Sequence, residues 1–385
     1  MYAQQSLQDS LFLMLYGGVA MLAVMAGLYL WLGRSNTILP HITPPRALRR
    51  WTAAFFLMAA LSHVWWYVLG VYWLTDDRLV RNIVAVTLDH VLLVPLVMAL
   101  LLRLLQDRRR RLWPWVLTQV PIVVSAAVGI ARRSEFYGFD LNTYWQVAVM
   151  IAFIVYYIVA LRQYGRWLRE NYADLEHKEV WQSLMFAAVL FIVYEVYFTN
   201  PGEMIREYLA QVETIAIIAF LVWRVETLQE LAPQQIHPQQ THPQPLPVRE
   251  GSVYSQDRNT DGKQAEELST PLSNREGVGE SLFLYCEQPQ LYLKYDLKLS
   301  ELAEKVGISR EALGAWFAKH NDTYNAYINR LRIDHFVRLY REAAKSGRTS
   351  SIFELAHECG YRSYLSFYTA FWQRMGTSVT AWMKS

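Results

Sequence analysis

The first 230 residues contain seven apolar runs, each long enough to cross a lipid bilayer. A bilayer core of about 30 Å is spanned by roughly 20 residues of α-helix, which rises 1.5 Å per residue. The chain is therefore predicted to begin with a bundle of seven membrane-spanning helices. The runs are Leu11–Leu32, Thr52–Leu74, Ile83–Leu105, Leu112–Ile130, Tyr144–Leu161, Trp181–Thr199 and Tyr208–Val225.

Lys and Arg residues lie mainly on one side of this predicted bundle. Thirteen of them lie in the loops after the first, third and fifth runs or, for Arg103, at the end of the third run, against five in the loops on the other side. Because basic residues accumulate on the cytoplasmic side of a membrane, the bias places the N-terminus outside and everything after Arg224 in the cytoplasm. The expected location is the inner membrane of a bacterium, with the lipid bilayer as one partner.

Residues 231–280 separate the predicted membrane domain, residues 1–230, from the rest of the chain. Gln, Pro, Ser, Gly and charged residues replace apolar ones, and the low-complexity stretch PQQIHPQQTHPQPLP lies near the start. Such a composition cannot bury enough apolar surface to form a core. We predict a disordered, flexible linker with an end-to-end distance on the order of 40 Å. Its two histidines lack a full ligand set, so no metal site is expected.

A short repeat lies beyond residue 281, where ELAEKVGI at residues 301–308 recurs as ELAHECGY at residues 354–361. The small Ala lets a second helix cross closely, and the Gly can take the left-handed conformation that ends a helix. Ser309 and Ser363 can cap the helix that follows each copy. Each copy is therefore predicted to be a helix-turn-helix.

Two further patterns organise this region. Ser351 and Glu354 have the spacing of a capping box, which marks the start of the second copy. Between the copies, residues 324–340 place large apolar side chains on one stripe of helical period. This stretch is predicted to be a helix that connects the two copies.

Over residues 282–385 the chain resembles the DNA-binding domain of the AraC/XylS family of transcriptional regulators. The resemblance rests on LSELAEKVGIS, YINRLRIDHFVRLY and SIFELAHECGYRSYLSFYTAF, in the family's order and spacing. It implies two helix-turn-helix units joined by one long helix, with Arg310–Lys319 and Ser363–Gln373 as recognition helices. Such a domain can place them in successive major grooves, about 34 Å apart, so double-stranded DNA is the implied partner.

The candidate DNA-contacting residues lie on or directly before these recognition helices. They are Arg310, Glu311, Ala315, Lys319, Arg362, Tyr364, Leu365, Tyr368 and Thr369. Ala315 and Thr369 stand where the family often has a basic or polar base-reading residue, so direct base readout is expected to be modest. Val379 replaces the Pro that is usual in the family's terminal motif. The salt-sensitive part of the affinity would then come from phosphate contacts by Lys305, Arg310, Lys319, Arg362 and Arg374.

Five ionisable residues fall within the predicted spans, where such groups are costly and usually face the bundle interior. They are His63, Asp89, His90, Glu195 and Glu213. With neighbouring Trp and Tyr side chains they could sense a signal by lining a pocket for a small amphiphile or cation, which would add a small-molecule ligand to the partners. The other interpretation is that they form hydrogen bonds between helices.

These features predict an all-α chain with a seven-helix transmembrane bundle, a linker and a double helix-turn-helix domain over residues 281–385. The function that follows is a membrane-tethered, sequence-specific transcriptional regulator that couples a signal at the membrane to gene expression, with homodimerisation left open. The competing hypothesis is a membrane receptor or transporter whose helix-turn-helix domain binds proteins. Metalloprotease, serine-hydrolase, phosphate-loop and kinase motifs do not occur in the sequence, so neither catalysis nor a cofactor is expected.

Overall fold

The computed structural model describes residues 7–33, 36–40, 42–70, 77–185, 189, 203–231, 277–346 and 351–383. Regular secondary structure in these residues is helical, apart from an isolated bridge between Tyr172 and Lys298. The predicted all-α class is confirmed. The chain divides into an N-terminal unit, Met1–Leu168 with Leu175–Leu231, and a C-terminal unit, Arg169–Asp174 with Ala232–Ser385.

Apolar helices dominate the first part of the chain. They are α1 (Leu7–Leu32), α2 (Arg46–Gly70), α3 (Arg78–Leu104), α4 (Trp113–Leu117), α5 (Val120–Arg132), α6 (Leu141–Asn171) and α7 (Glu203–Thr227). Within the described residues, six stretches are long and apolar enough to cross a membrane, namely Ser10–Leu32, Arg46–Leu69, Arg78–Leu104, Trp113–Arg132, Phe136–Asn171 and Glu207–Thr227. Most of the sixth predicted span, Trp181–Thr199, lies outside the described residues.

The described residues on either side of that span lie at opposite ends of α7. His177 lies at the end of α7, because its Nδ1 is 3.1 Å from the carbonyl oxygen of Thr227. Helix α7 begins at the opposite end, near Tyr208, whose ring centroid is 5.4 Å from that of Phe12 in α1.

Polar side chains from separate loops meet where α7 ends. Asn36 Nδ2 donates to the carbonyl of Glu226 at 2.7 Å, and Arg49 lies 3.3 Å from the Glu226 carboxylate, with both side chains nearly inaccessible. Gln106 Nε2 donates to the carbonyl of Gln229 at 3.0 Å. The loops after α1, α3 and α6, in which the basic residues accumulate, thus lie at one end of the N-terminal unit.

The predicted span Leu112–Ile130 is not one continuous helix. It is divided into α4 and α5, with the break at Thr118 and Gln119. Pro121 explains the break, because proline has no amide hydrogen to donate and its ring clashes with the carbonyl four residues earlier. Trp145 Nε1 donates to the carbonyl of Thr118 at 2.8 Å, which satisfies one backbone group at the interruption.

The C-terminal unit is built from α-helices that are mostly shorter. They are α8 (Gly277–Leu282), α9 (Leu299–Val306), α10 (Arg310–Lys319), α11 (Tyr324–Lys345), α12 (Ile352–Glu358), α13 (Tyr364–Met375) and α14 (Val379–Trp382). A π-helical turn over Phe283–Glu287 follows α8, and a 3₁₀ turn over Leu291–Leu293 precedes α9. Helix α11 is the predicted connecting helix and extends to Lys345.

Two apolar clusters form the core of this unit, one on each half of α11. The first gathers side chains of α9, α10 and the start of α11, as far as Ile328. The second begins with Ile333 and gathers those of α12, α13 and α14. Each cluster contains one free cysteine, Cys286 in the first and Cys359 in the second, and burial raises the pKa of both thiols to about 12.

Candidate DNA-binding surface

The first copy of the repeat forms a helix-turn-helix from α9 and α10. Gly307 ends α9 with φ +78°, in the left-handed region that glycine tolerates best, and its amide donates to the carbonyl of Ala303 at 2.9 Å. Ser309 then caps α10, because its hydroxyl accepts from the amide of Ala312 at 3.1 Å. Both features were expected from the sequence, and the structure confirms them.

The second copy repeats this geometry with α12 and α13. Ser351 accepts from the amide of Glu354 at 3.1 Å and donates its own amide to the Glu354 carboxylate at 3.0 Å, so the predicted capping box is confirmed. Gly360, two positions after the last residue of α12, has φ +87°. Ser363 caps α13 by accepting from the amide of Ser366 at 3.2 Å.

The first recognition helix, α10, presents a polar face away from the core. Leu313 is fully buried, whereas Glu311, Ala315 and Lys319 are exposed and stand one helical turn apart. Arg310, at the first position of the helix, is half-buried. The predicted contact residues of this helix therefore share one accessible face, with an alanine at its centre.

The second recognition helix, α13, presents a more apolar face. Phe367 is fully buried, while Tyr364 and Leu365 are 44% and 73% exposed. Tyr368 is half-buried, and the exposed Thr369 donates its hydroxyl to the carbonyl of Leu365 at 2.9 Å. An apolar side chain in a major groove can contact a thymine methyl, so this face can distinguish bases with few polar contacts.

Trp372 belongs to the same face and was not among the residues predicted from the sequence. Its side chain is 51% exposed, and its ring is stacked on that of Tyr368 with centroids 6.5 Å apart. The signal was available, because Trp372 follows Tyr368 by four positions and Leu365 by seven, which is the spacing of one helical face. A tryptophan at that spacing is equally typical of core packing. Only the exposure of the Trp372 side chain in the structure places it on the accessible face.

Several of the predicted phosphate-contacting cations are already engaged. The guanidinium of Arg362 lies 3.9 Å from the centroid of the Tyr295 ring. Arg374 donates three hydrogen bonds to Asp334 at 3.1–3.2 Å, with both side chains about half exposed. Lys305 and Lys319 are exposed. An exposed ion pair contributes little to stability and can be exchanged for a phosphate at small cost.

Two of the intramembrane candidates form hydrogen bonds between helices. Asp89 of α3 accepts from the Ser62 hydroxyl at 2.6 Å and from Trp66 Nε1 at 2.7 Å, both on α2. His63, also on α2, lies 3.2 Å from Gln211 Oε1 on α7 through its Nε2. This geometry agrees with the interpretation of these residues as hydrogen-bonding partners within the bundle.

The remaining intramembrane candidates are placed differently. His90 Nδ1 lies 2.7 Å from the carbonyl oxygen of Val86, within its own helix, and Glu213 on α7 is half-buried. Glu195 lies outside the described residues. The structure therefore brings Asp89 of α3 against Ser62, the residue before His63 in α2, and it gives His90 a local partner.

Comparison with known families identifies the C-terminal domain. Residues 302–385 match the profile of a family described as a helix-turn-helix domain, of the AraC type. Comparisons of the chain with curated proteins and with solved structures give no significant match. The matched residues run from α9 through both helix-turn-helix copies to the end of the chain. The C-terminal part of this protein thus matches the AraC-type helix-turn-helix family of domains.

Proposed function

We propose that the protein is a membrane-tethered, sequence-specific transcriptional regulator that couples a signal at the membrane to gene expression. The observation that carries the proposal is the presence, on one chain, of six apolar stretches long enough to span a bilayer and of an AraC-type domain with two exposed recognition faces. In this arrangement the N-terminal unit crosses a bacterial inner membrane. The C-terminal unit binds double-stranded DNA in the cytoplasm, without catalysis or a cofactor.

The size of the N-terminal unit supports a role beyond anchoring. A single apolar helix would hold a DNA-binding domain at the membrane, whereas this chain has six described stretches of that kind. The additional helices carry buried polar contacts, such as that between Ser62 and Asp89, which a simple anchor does not need. We therefore assign signal reception to this unit, either by a small ligand or by self-association.

The proposal requires the C-terminal unit to lie in the cytoplasm. A reporter pair that distinguishes cytoplasm from periplasm, fused after Leu231, is expected to give the cytoplasmic signal, because the basic loops lie at the same end as the end of α7. The matched fusion after Arg133, at the end of α5, is expected to give the periplasmic signal. The opposite pattern would place the recognition helices away from DNA and contradict the proposal.

Sequence-specific binding is tested by mapping the tagged full-length protein on the genome in cells. We expect discrete sites with a common motif, and Leu365→Ala is expected to weaken binding about tenfold at sites where a thymine methyl is contacted. Phe283→Ala is the control, because Phe283 is also more than half exposed but lies outside both recognition helices. Occupancy without a motif, or equal effects of both variants, would speak against specific recognition.

A further inference from the structure

The C-terminal unit includes six residues from a distant part of the chain. Arg169–Asp174 follows directly from the apolar helix α6, and the chain returns to the N-terminal unit at Leu175. Ala173 is 2% exposed and belongs to the first apolar cluster, together with Leu302 and Phe317. The segment is thus part of the core of a domain from which it is separated by more than a hundred residues.

Backbone contacts hold this segment against the loop before α9. Tyr172 and Lys298 form an antiparallel bridge, and the amide of Ala173 donates to the carbonyl of Leu297 at 3.2 Å. From α11, Asn325 Nδ2 donates to the carbonyl of Ala173 at 2.5 Å. These contacts satisfy backbone groups that would otherwise be buried without partners.

A buried ion pair completes the contact. Arg332 of α11 donates from both terminal nitrogens to the two carboxylate oxygens of Asp174, at 2.9 and 3.3 Å, and the side chains are 0% and 3% exposed. Asp174 also accepts from the amide of Asp296 at 2.8 Å. A two-point pairing of this kind is among the strongest and most directional contacts that a protein forms. It identifies Asp174 as the residue on which docking of the segment depends.

Two hydrogen bonds of Arg332 do not depend on the segment. Its Nε donates to the carbonyl of Tyr292 and one terminal nitrogen donates to that of Lys294, both at 2.7 Å, and neither bond involves the segment. Once the segment leaves, water can reach the groups that faced Asp174. A six-residue contact would be weak between separate molecules, but both partners belong to one chain, which raises the effective concentration to the millimolar range.

The docked segment lies beside the first recognition helix. Tyr172 is 6% exposed. Burial raises the pKa of its hydroxyl to about 12, Asp296 adds to the increase, and the positive charge of Arg310 acts in the opposite direction. Arg310 begins α10 and is a predicted DNA contact. Ala173 of the docked segment shares the first apolar cluster with Leu313 and Phe317 of α10, so the segment belongs to the same core as the helix that Arg310 begins.

We propose that Arg169–Asp174 is a detachable intramolecular ligand of the C-terminal unit and that its docking competes with DNA at the first helix-turn-helix. The inference rests on the proposed function and gives it a regulatory mechanism. A signal that favours a state of the N-terminal unit in which the segment is withdrawn would increase DNA affinity. By thermodynamic reciprocity, bound DNA would favour withdrawal by the same factor.

The test compares the full-length wild type with Asp174→Asn, each in nanodiscs of neutral lipid. Hydrogen–deuterium exchange, measured without DNA, reports whether Arg169–Asp174 is docked on the C-terminal unit. We expect faster exchange in the peptides that cover residues 169–174 and 292–298, and unchanged exchange in α10 and α13. Binding to a duplex pool of random sequence is expected to tighten about five- to tenfold, within the usual range of such couplings. Glu176→Gln removes a charge two positions away, where the side chain is about one-quarter exposed, and is expected to match the wild type.

A second variant guards against a local folding defect. Ala173→Glu places a charged side chain at a buried position, while Asp174 and Arg332 are both retained, so it is expected to undock the segment and tighten DNA binding in the same way. If either variant exposes Cys286 and Cys359 to a thiol reagent, the segment is a fixed part of the fold and the proposal fails. Undocking with unchanged or weaker DNA affinity also overturns it. Absence of DNA binding in every form rejects the proposed function and the competition together, while the exchange data still report docking.

Discussion

The affinity of the full-length protein for duplex DNA is expected to fall about 500-fold when monovalent salt rises from about 50 to about 200 mM. Each phosphate contact contributes about −0.9 to the slope of log affinity against log salt, and five predicted contacts give about −4.5. Lys305, Lys319 and Arg362 are exposed in the structure, and Arg310 is half-buried. Arg374 can exchange its exposed partner Asp334 for a phosphate. Fluorescence anisotropy in nanodiscs of neutral lipid measures the slope without an electrostatic contribution from the membrane.

Single lysine substitutions make this measurement specific. Lys319→Gln is expected to reduce the magnitude of the slope by about 1, with a similar loss on every DNA sequence. Lys294→Gln is the matched control, because Lys294 is also exposed in the C-terminal unit but is paired with Glu301 and lies before α9. A slope near zero for the wild type would mean that the surface does not meet phosphates. Equal effects of the two substitutions would mean that Lys319 has no particular position at the DNA.

Gly360→Ala is expected to destabilise the C-terminal unit by about 3 kcal/mol or more. The left-handed backbone at φ +87° alone costs an alanine about 1–2 kcal/mol. In addition, an added Cβ would collide with the carbonyl oxygen of Leu293 and would lie 3.2 Å from Arg332 Nε. A backbone carbonyl cannot move away cheaply, so the strain spreads to the loop that supports Arg332.

Gly307→Ala is the matched control, because Gly307 has the equivalent position in the first copy. It has φ +78°, but an added Cβ would meet nothing within 4 Å, so only the backbone cost of about 1–2 kcal/mol is expected. The protein has two cysteines, and each apolar cluster buries one of them. Labelling of the two thiols as a function of urea therefore gives the free energy of unfolding of each half. Equal destabilisation by the two substitutions would contradict the predicted collision at Gly360.

The helix ends and caps of the C-terminal unit depend on residues close in sequence and could be predicted from it. Gly307 and Gly360 end their helices, and Ser309, Ser351 and Ser363 cap the next ones, because each depends only on residues within about four positions. The two recognition helices followed from the same signals. The second begins and ends within two residues of its prediction, since capping serine and terminal glycine bound it closely.

The buried pair of Arg332 and Asp174 could not be predicted in this way. An Arg in a helix that also contains Arg330 and Arg338 suggests a solvated face, because a charged side chain is rarely buried without a partner. That partner lies 158 positions earlier, directly after an apolar helix, and no local pattern connects the two. Only the fold shows that this arginine, which lies between the two clusters, is the largest fully buried side chain of α11.

The ends of the apolar helices were also missed, for a different reason. Helix α6 continues to Asn171, ten residues beyond the predicted end at Leu161, and α2 begins at Arg46, six residues before Thr52. An apolar run records the thickness of the bilayer core, whereas backbone hydrogen bonding continues into the polar surroundings. The longer α6 carries the chain to the segment Arg169–Asp174.

The single helix α11 connects the two apolar cores of the C-terminal unit. As a result, the base sequence of a half-site and the distance between half-sites depend on different parts of the protein. Substitutions on the outer face of α10 or α13 alter contacts with one half-site and leave the packing of the other half intact. The distance between half-sites has no such freedom, because one residue inserted in α11 would turn one half relative to the other by about 100° and shift it about 1.5 Å. The base sequence recognised at either half-site can therefore change by single substitutions during evolution. A change in the distance between half-sites would require new DNA contacts from both helix-turn-helix units at the same time.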